Sequence, residues 1–512
     1  MIIDIAVERW LVAFVVMTVL VLAGCASDSP AAGSPEAVPA GSIDDFIQAE
    51  MPASGVPGVA YAVVVDGEIT SVGAHGVLRS GDSRQVTADT PFLTGSISKS
   101  FTGVAIMQLV EAGQIDLDAD VSEYLDVFSG RPAGAATIRQ LLSHTSGLST
   151  LQGNTSYTDA TGEADELARQ VDGLAAVTPA NDPDERWAYS NANYQILGRV
   201  IEVVSGQDYQ AYVTANILDP IGMDHSFVAD GDTHADMATG HTPWFGGKRP
   251  LAENTTHRAT APQGGIVASA GDLARYMQVM MNGEDDVLRA EHKALIMLPA
   301  SDASPHYGFG WYLDHTNQTV WHAGASPGLE TLATMVPSEN AAVVVLVNGG
   351  SGMGFGETAQ LRNGITARAL ELDYGGEGAR WTQKTLFVSL VLLPVVYLLS
   401  TIWAWRDRAK IRAKSGAFGV FSWWFPLLTT GVAAVAILWL VPNLIGAPLR
   451  TITVFQPDLG VALIATAVAG VLWAVFRLGV AYTGRRITPA AGSGGSITRR
   501  SEAQADLGFR GP

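Results

Sequence analysis

The sequence predicts an α/β (α+β) domain built on one antiparallel sheet flanked by helices, with a helical subdomain beside it and three transmembrane helices after it. Strand-like runs stand at both ends of residues 42–375, and a mainly helical stretch separates them. Three uncharged runs close the chain, Thr385 to Trp405, Ser415 to Leu449 and Leu459 to Phe476, each long enough to cross the hydrocarbon core of a bilayer. The length of 512 residues also exceeds what one hydrophobic core usually organises.

Taken in order, the elements begin with an apolar run from Trp10 to Ala23 that is too short to span comfortably and ends in Leu22-Ala23-Gly24-Cys25. That pattern looks like a bacterial lipoprotein signal over residues 1–24, with Cys25 as the lipidation site. Cys25 is the only cysteine, so it makes no internal disulfide. Residues 25–41 are rich in Pro, Ala and Ser and read as a tether. Ser42 caps a short helix whose first turn holds Asp44 and Asp45. Val59 to Val65 and Ile69 to Val77 form a hairpin across Asp66-Gly67.

A helix over Ser96 to Ala112 follows, stopped by Gly113, then a helix with its loop from Ile138 to Leu148 and a helical and looped middle from Asp165 to Met281. Strands return at Tyr307 to Leu313, Thr319 to Ala323, Leu332 to Val336 and Ala342 to Val347, before a last helix from Glu357 to Leu372. The spans are placed at 385–405, 424–446 and 459–481, with a cytoplasmic tail at 484–512.

Charge divides along the same boundary. Residues 26–380 hold 17 Lys and Arg against 44 Asp and Glu, whereas the rest of the chain is net positive. An acidic domain without a basic face is a poor partner for nucleic acid. The loop from Arg406 to Lys414 carries five basic residues against Asp407, and the tail opens with Arg485 and Arg486. By the positive-inside rule both are cytoplasmic, which places the large domain on the extracytoplasmic face of a multi-pass membrane protein in contact with lipid.

The first chemical constellation is Ser96-Ile97-Ser98-Lys99. Residues three apart share a helix face, so Lys99 can bring its amine to the Ser96 hydroxyl near a helix N-terminus that favours an alkoxide. Burial or nearby positive charge is needed to make that lysine a base. About ninety residues on, Tyr189-Ser190-Asn191 supplies a Tyr-x-Asn, and Trp321-His322-Ala323-Gly324 sits on a strand just before Ala325-Ser326-Pro327-Gly328.

With these motifs, and with Thr137 to Leu148, Gly264-Gly265-Ile266 and Ser269 to Leu273 in the same order, residues 45 to 350 resemble the serine β-lactamase and penicillin-binding family. The likeness is nearest its class C β-lactamase, esterase and D-aminopeptidase branch. The resemblance implies the transpeptidase-like fold and assigns the roles. Ser96 attacks an acyl carbon, Lys99 takes its proton, and Tyr189 relays a proton and later helps water attack the acyl-enzyme. Asn191 orients the substrate amide, and the backbone N–H groups of Ser96 and Ala325 form the oxyanion hole beside Gly324. Where β-lactamases and D,D-peptidases usually carry Lys-Thr-Gly, this chain has His322-Ala323-Gly324. A mostly neutral histidine offers one donor and no permanent charge to a substrate carboxylate, which argues against efficient β-lactam hydrolysis.

The implied enzyme hydrolyses small esters or D-amino-acid peptides of the cell envelope without metal or cofactor. Penicillin binding, β-lactamase or D,D-peptidase activity, and an acylated sensor that does not turn over, stay open as alternatives. Gly324-Ala325-Ser326-Pro327-Gly328 also matches a nucleophile elbow, but Pro327 lacks the N–H that such an oxyanion hole requires. His234, Asp236 and His241 lack metal-site spacing and are read as a solvated loop, and His144 as part of a structural loop. The spans are read as free of acidic and basic side chains, against a transporter.

Overall fold

The structure, a computed structural model, describes residues 42–155 and 163–483. The signal 1–24, Cys25, the tether and the tail from 484 lie outside the described residues. A six-stranded antiparallel sheet is the frame: β1 (Gly58–Val65), β2 (Glu68–Gly76), β3 (Tyr312–Asp314), β4 (Thr319–Ser326), β5 (Leu329–Val336) and β6 (Ala341–Val347), in the order β2-β1-β6-β5-β4-β3. The first and last strands of the domain, β1 and β6, lie side by side at its centre, with Val59 opposite Val347 and Val64 opposite Ala342.

That pairing follows from composition. Gly-Val-Ala-Tyr-Ala-Val-Val-Val and Ala-Ala-Val-Val-Val-Leu-Val are apolar on both faces, and a strand with no polar face needs cover on both sides. Alternation then sorts the side chains. Val59, Tyr61, Val63, Val343, Val345 and Val347 pack under Ile47, Leu361 and Ile365 of α1 (Ile43–Ser54) and a C-terminal helix at Ala359–Ala369. Ala60, Ala62, Val64, Val344 and Leu346 join the main core with Phe101 of α2 (Ser98–Glu111). The Asp66-Gly67 turn has positive φ at both residues, 53° and 80°, as a tight I′ hairpin requires. Ser42 accepts the Asp45 N–H at 3.1 Å and caps α1 as expected.

Beside the sheet lies the helical part, centred on α3 (Asn191–Ser205). The strand expected from Tyr307 is shorter than predicted. Gly308 and Gly310 press against neighbouring backbone, leaving Tyr307 with one isolated bridge to Tyr312 and the regular strand only at β3.

Three helices long and apolar enough to cross a membrane follow: α4 (Trp381–Arg406), α5 (Gly416–Ile445) and α6 (Pro457–Tyr482). The helix that carries the second expected span, 424–446, begins at Gly416, just after the last loop charge at Lys414, and its first turns carry Phe418, Phe421, Trp423 and Trp424, residues suited to an interface. The expectation of spans without ionisable groups is corrected by Arg477. It is buried in the last part of α6 and donates to the Ser422 carbonyl at 3.2 Å.

Candidate active site

Ser96 stands in a single 3₁₀ turn, Gly95–Ile97, that leads into α2. Lys99, one turn on, is fully buried. Its Nζ lies 3.1 Å from Ser96 Oγ and 2.8 Å from both Asn191 Oδ1 and the Gln263 carbonyl. Tyr189 donates its hydroxyl to Ser96 Oγ at 2.8 Å. A neutral amine has two hydrogens and one lone pair; two carbonyl acceptors take the hydrogens, and the lone pair is left facing the Ser96 hydroxyl.

The charge state decides whether this works. Burial holds the Lys99 amine well below its ordinary pKa of 10.5. The Tyr189 and Tyr194 rings, with centroids 4.9 and 5.5 Å from Nζ, favour the cation. Such contacts are worth about 1–2 kcal/mol, and burial, the largest influence on this amine, outweighs them and favours the neutral form.

Glycine brings the nucleophile to the sheet. Gly95 has φ +57°, and a Cβ there would stand 2.6 Å from the Ala325 nitrogen; a Cβ on Gly324 would stand 1.9 Å from the Thr94 carbonyl and 2.2 Å from Thr331 Oγ1. The Thr331 hydroxyl donates to that same carbonyl at 2.7 Å, tying the turn to β5. The two backbones that carry the Ser96 and Ala325 amides therefore touch. Gly324→Ala is expected to push the turn off β4 and lower kcat by about a hundredfold, the scale of losing one oxyanion donor. Steady-state hydrolysis beside circular dichroism checks this: full activity in a folded variant would refute the contact.

His322 departs from expectation in one respect. Its Nδ1 lies 2.7 Å from the Ala323 carbonyl, so the ring N–H is used there, and Nε2 accepts from the Tyr307 hydroxyl at 3.1 Å. Burial, reinforced by Lys99, pushes its pKa down to about 3, against the opposing Ala323 carbonyl. The residue is neutral, but its expected donor is engaged within the protein. Asn191 is likewise committed: its Oδ1 holds Lys99 and its Nδ2 donates to Asn154 Oδ1 at 2.8 Å, leaving one amide hydrogen for a substrate.

Several residues of the site were not expected from sequence. His144 is buried with φ 62°, its ring centroid 4.4 Å from that of Tyr189. Its Nδ1 accepts the Ser190 N–H at 3.1 Å and its carbonyl accepts the Ala188 N–H at 2.9 Å, so it clamps both sides of Tyr189. Its place in a motif that flanks the site was the available signal. Trp187, Tyr307 and Tyr312 add an aromatic wall around Tyr189, with Trp321 stacked on Tyr312 at 4.7 Å. No regular spacing marks them.

The remaining candidates fall elsewhere. Ser326 ends β4 at the turn into β5, opposite Leu329. His241 is buried rather than in a solvated loop: Nε2 accepts the Ser80 N–H at 3.0 Å, and Nδ1 lies 2.8 Å from the Asn348 carbonyl. His234 pairs with Asp230 at 3.0 Å, and Asp236 with Arg84 at 3.6 Å. Among the described residues no group of three His, Cys, Asp or Glu is placed to hold a metal.

A serine met by a buried lysine amine and a tyrosine hydroxyl, at the junction of an antiparallel sheet and a helical subdomain, is the arrangement of a serine hydrolase. This chain belongs to the Beta-lactamase family, whose model matches residues 43–367. It is 32% identical over 324 residues to Penicillin-binding protein 4 of Amycolatopsis lactamdurans, covering 59% of this chain and 83% of that protein. It is 26% identical over 419 residues to Protein flp of Staphylococcus aureus strain MRSA252, covering 79% and 82%. The structure of the octameric penicillin-binding protein homologue from Pyrococcus abyssi aligns with a TM-score of 0.56 at 25% identity, over 65% of this chain and 77% of that one.

Proposed function

We propose that the chain is an exported, membrane-anchored serine hydrolase that cleaves an ester or amide lacking an obligatory carboxylate, either a small ester or a D-amino-acid peptide of the cell envelope. The observation that carries the reading is Lys99, a fully buried amine 3.1 Å from Ser96 Oγ and 2.8 Å from two carbonyl oxygens, an arrangement in which the neutral form can direct its lone pair at the serine. Ser96 Oγ gives its proton to Lys99 Nζ as it bonds to the acyl carbon, and the carbonyl oxygen becomes the oxyanion at the Ser96 and Ala325 amides. Collapse breaks the bond to the leaving group, which takes a proton by way of Tyr189. Water then attacks the acyl ester and gives its proton back through the same pair, releasing the acid and restoring the serine.

Neutral His322 and the aromatic wall support the substrate class. A site without a fixed cation at that position gains little from a carboxylate, while the partly exposed rings of Trp187 and Tyr312 suit apolar groups. Sidedness has support as well. The start of α4 and the segment between α5 and α6 touch the hydrolase domain, and the basic loop Arg406 to Lys414 is at the far end of α4. An extracytoplasmic domain with cytoplasmic basic loop fits both. Lipidation of Cys25 belongs to the same reading.

The test is hydrolysis of a short-chain nitrophenyl ester and of a chromogenic cephalosporin, side by side, by the full chain in detergent. Ester turnover with the cephalosporin largely untouched supports the reading. Preferred cephalosporin turnover moves the protein to the β-lactamases, and a stable adduct without turnover moves it to the sensors. His322→Lys is expected to raise the rate of acylation by penicillin about tenfold, the worth of one charge-assisted contact to its carboxylate. An unchanged second-order rate would remove His322 from the explanation of specificity.

A further inference from the structure

The catalytic lysine is connected to the membrane helices through two side chains, Asn191 and Asn154. Asn154 follows a short helix, Thr150–Gly153, and accepts the Asn191 amide at Oδ1, 2.8 Å away. Its own Nδ2 donates to the Gly446 carbonyl at 2.8 Å, and its carbonyl accepts the Thr451 hydroxyl at 2.8 Å. Gly446 ends α5, and Thr451 lies in the short helix Leu449–Phe455 before α6. Two glycines make the approach possible. A Cβ on Gly153 would stand 2.4 Å from the Asn191 nitrogen, and one on Gly446 would stand 3.1 Å from Thr150 Cγ2, at φ +72°.

Donor and acceptor logic runs one way along this chain. The Gly446 carbonyl can only accept, so the Asn154 amide must turn its NH₂ towards it and its oxygen towards Asn191. Asn191 must then offer NH₂ to Asn154 and its oxygen to Lys99. Two further contacts hold the same face together: Asp458 at the start of α6 accepts the Phe245 N–H at 3.0 Å, and Gln456 donates to the Ser351 carbonyl at 3.4 Å.

We propose that the segment between the second and third apolar helices, through Gly446 and Thr451, is a positioning element of the active site. It fixes Asn154, and Asn154 sets the polarity of Asn191 and the seat of Lys99. Turnover then depends on how the hydrolase domain is docked on its own membrane helices. The inference rests on the hydrolase reading above.

The experiment measures kcat, KM and the pH profile of ester hydrolysis by the full chain in lipid nanodiscs. Asn154→Leu is expected to lower kcat about tenfold and Thr451→Val about threefold, with smaller changes in KM, and Thr451→Ser to restore the rate. Because both act through one path, the double variant should be no slower than Asn154→Leu alone. Loss of the Asn191 acceptor disfavours the lysine cation, so the acidic limb of kcat/KM should move to lower pH in both variants, a change that general loosening of the bundle would not produce. Thr429→Val, which removes a hydroxyl bonded within α5 to the Phe425 carbonyl, should leave the rate unchanged. Wild-type rates in Thr451→Val and Asn154→Leu, or additive losses without a shifted limb, overturn the inference while leaving the hydrolase intact. A wild-type chain that turns over no ester sinks the hydrolase reading, and this inference with it.

Discussion

Ser96→Ala is expected to lower ester turnover by about a thousandfold or more, because Ser96 Oγ is the hydroxyl met by both the Lys99 amine and the Tyr189 hydroxyl. The fold should be little affected. Lys99 keeps its two carbonyl partners, and Tyr189, which is partly exposed, can replace a lost acceptor with water. The expected change in stability is within about 1 kcal/mol, checked by thermal unfolding. Ser326→Ala is the matched control and should retain full kcat, since Ser326 only closes the β4–β5 hairpin. The reverse pattern would move the nucleophile to the Gly-x-Ser-x-Gly turn.

Lys99→Met is expected to be nearly as severe, about a thousandfold in kcat, since the Ser96 proton then has no base. The pH dependence carries the sharper information. Only the neutral amine has a lone pair, so wild-type kcat/KM rises with pH through the lysine pKa and levels above it. Burial lowers that pKa well below 10.5, so the rise is complete at lower pH than a free lysine would allow. The residual activity of Lys99→Met should lack this limb. Lys99→Arg should not rescue, because a guanidinium stays charged and cannot accept the proton. A wild-type profile that rises only near the free-lysine value would show that Lys99 is protonated in the working enzyme.

The frame of the molecule was legible in sequence where physics is local. The I′ turn at Asp66-Gly67, the Ser42 cap and the doubly apolar strand Ala341–Val347 each follow from a few adjacent residues. Ser96, Lys99, Tyr189, Asn191, His322, Gly324 and Ala325 were legible as motifs. The structure brings Ser96, Lys99, Tyr189 and Asn191 into one hydrogen-bonded group. What stayed hidden depends on packing between distant segments. The Gln263 carbonyl reaches Lys99 across 164 positions, and Asn154 meets Gly446 across 292, with no periodicity to announce either. The donor of His322 was misjudged because its partner, the Ala323 carbonyl, is a matter of rotamer rather than composition. His241 read as loop because its polar partners, Ser80 and Asn348, lie far off in sequence.

The central claim is that Ser96 is acylated with Lys99 as its neutral base. The direct measurement is intact-protein and peptide mass spectrometry of the full chain, acid-quenched during turnover of a slowly hydrolysed ester, across a range of pH. One acyl group on the peptide containing Ser96 is expected, with its rate of appearance rising with pH through the lowered lysine pKa and absent in Ser96→Ala. An adduct on any other residue, or ester turnover that survives in Ser96→Ala, would contradict the account.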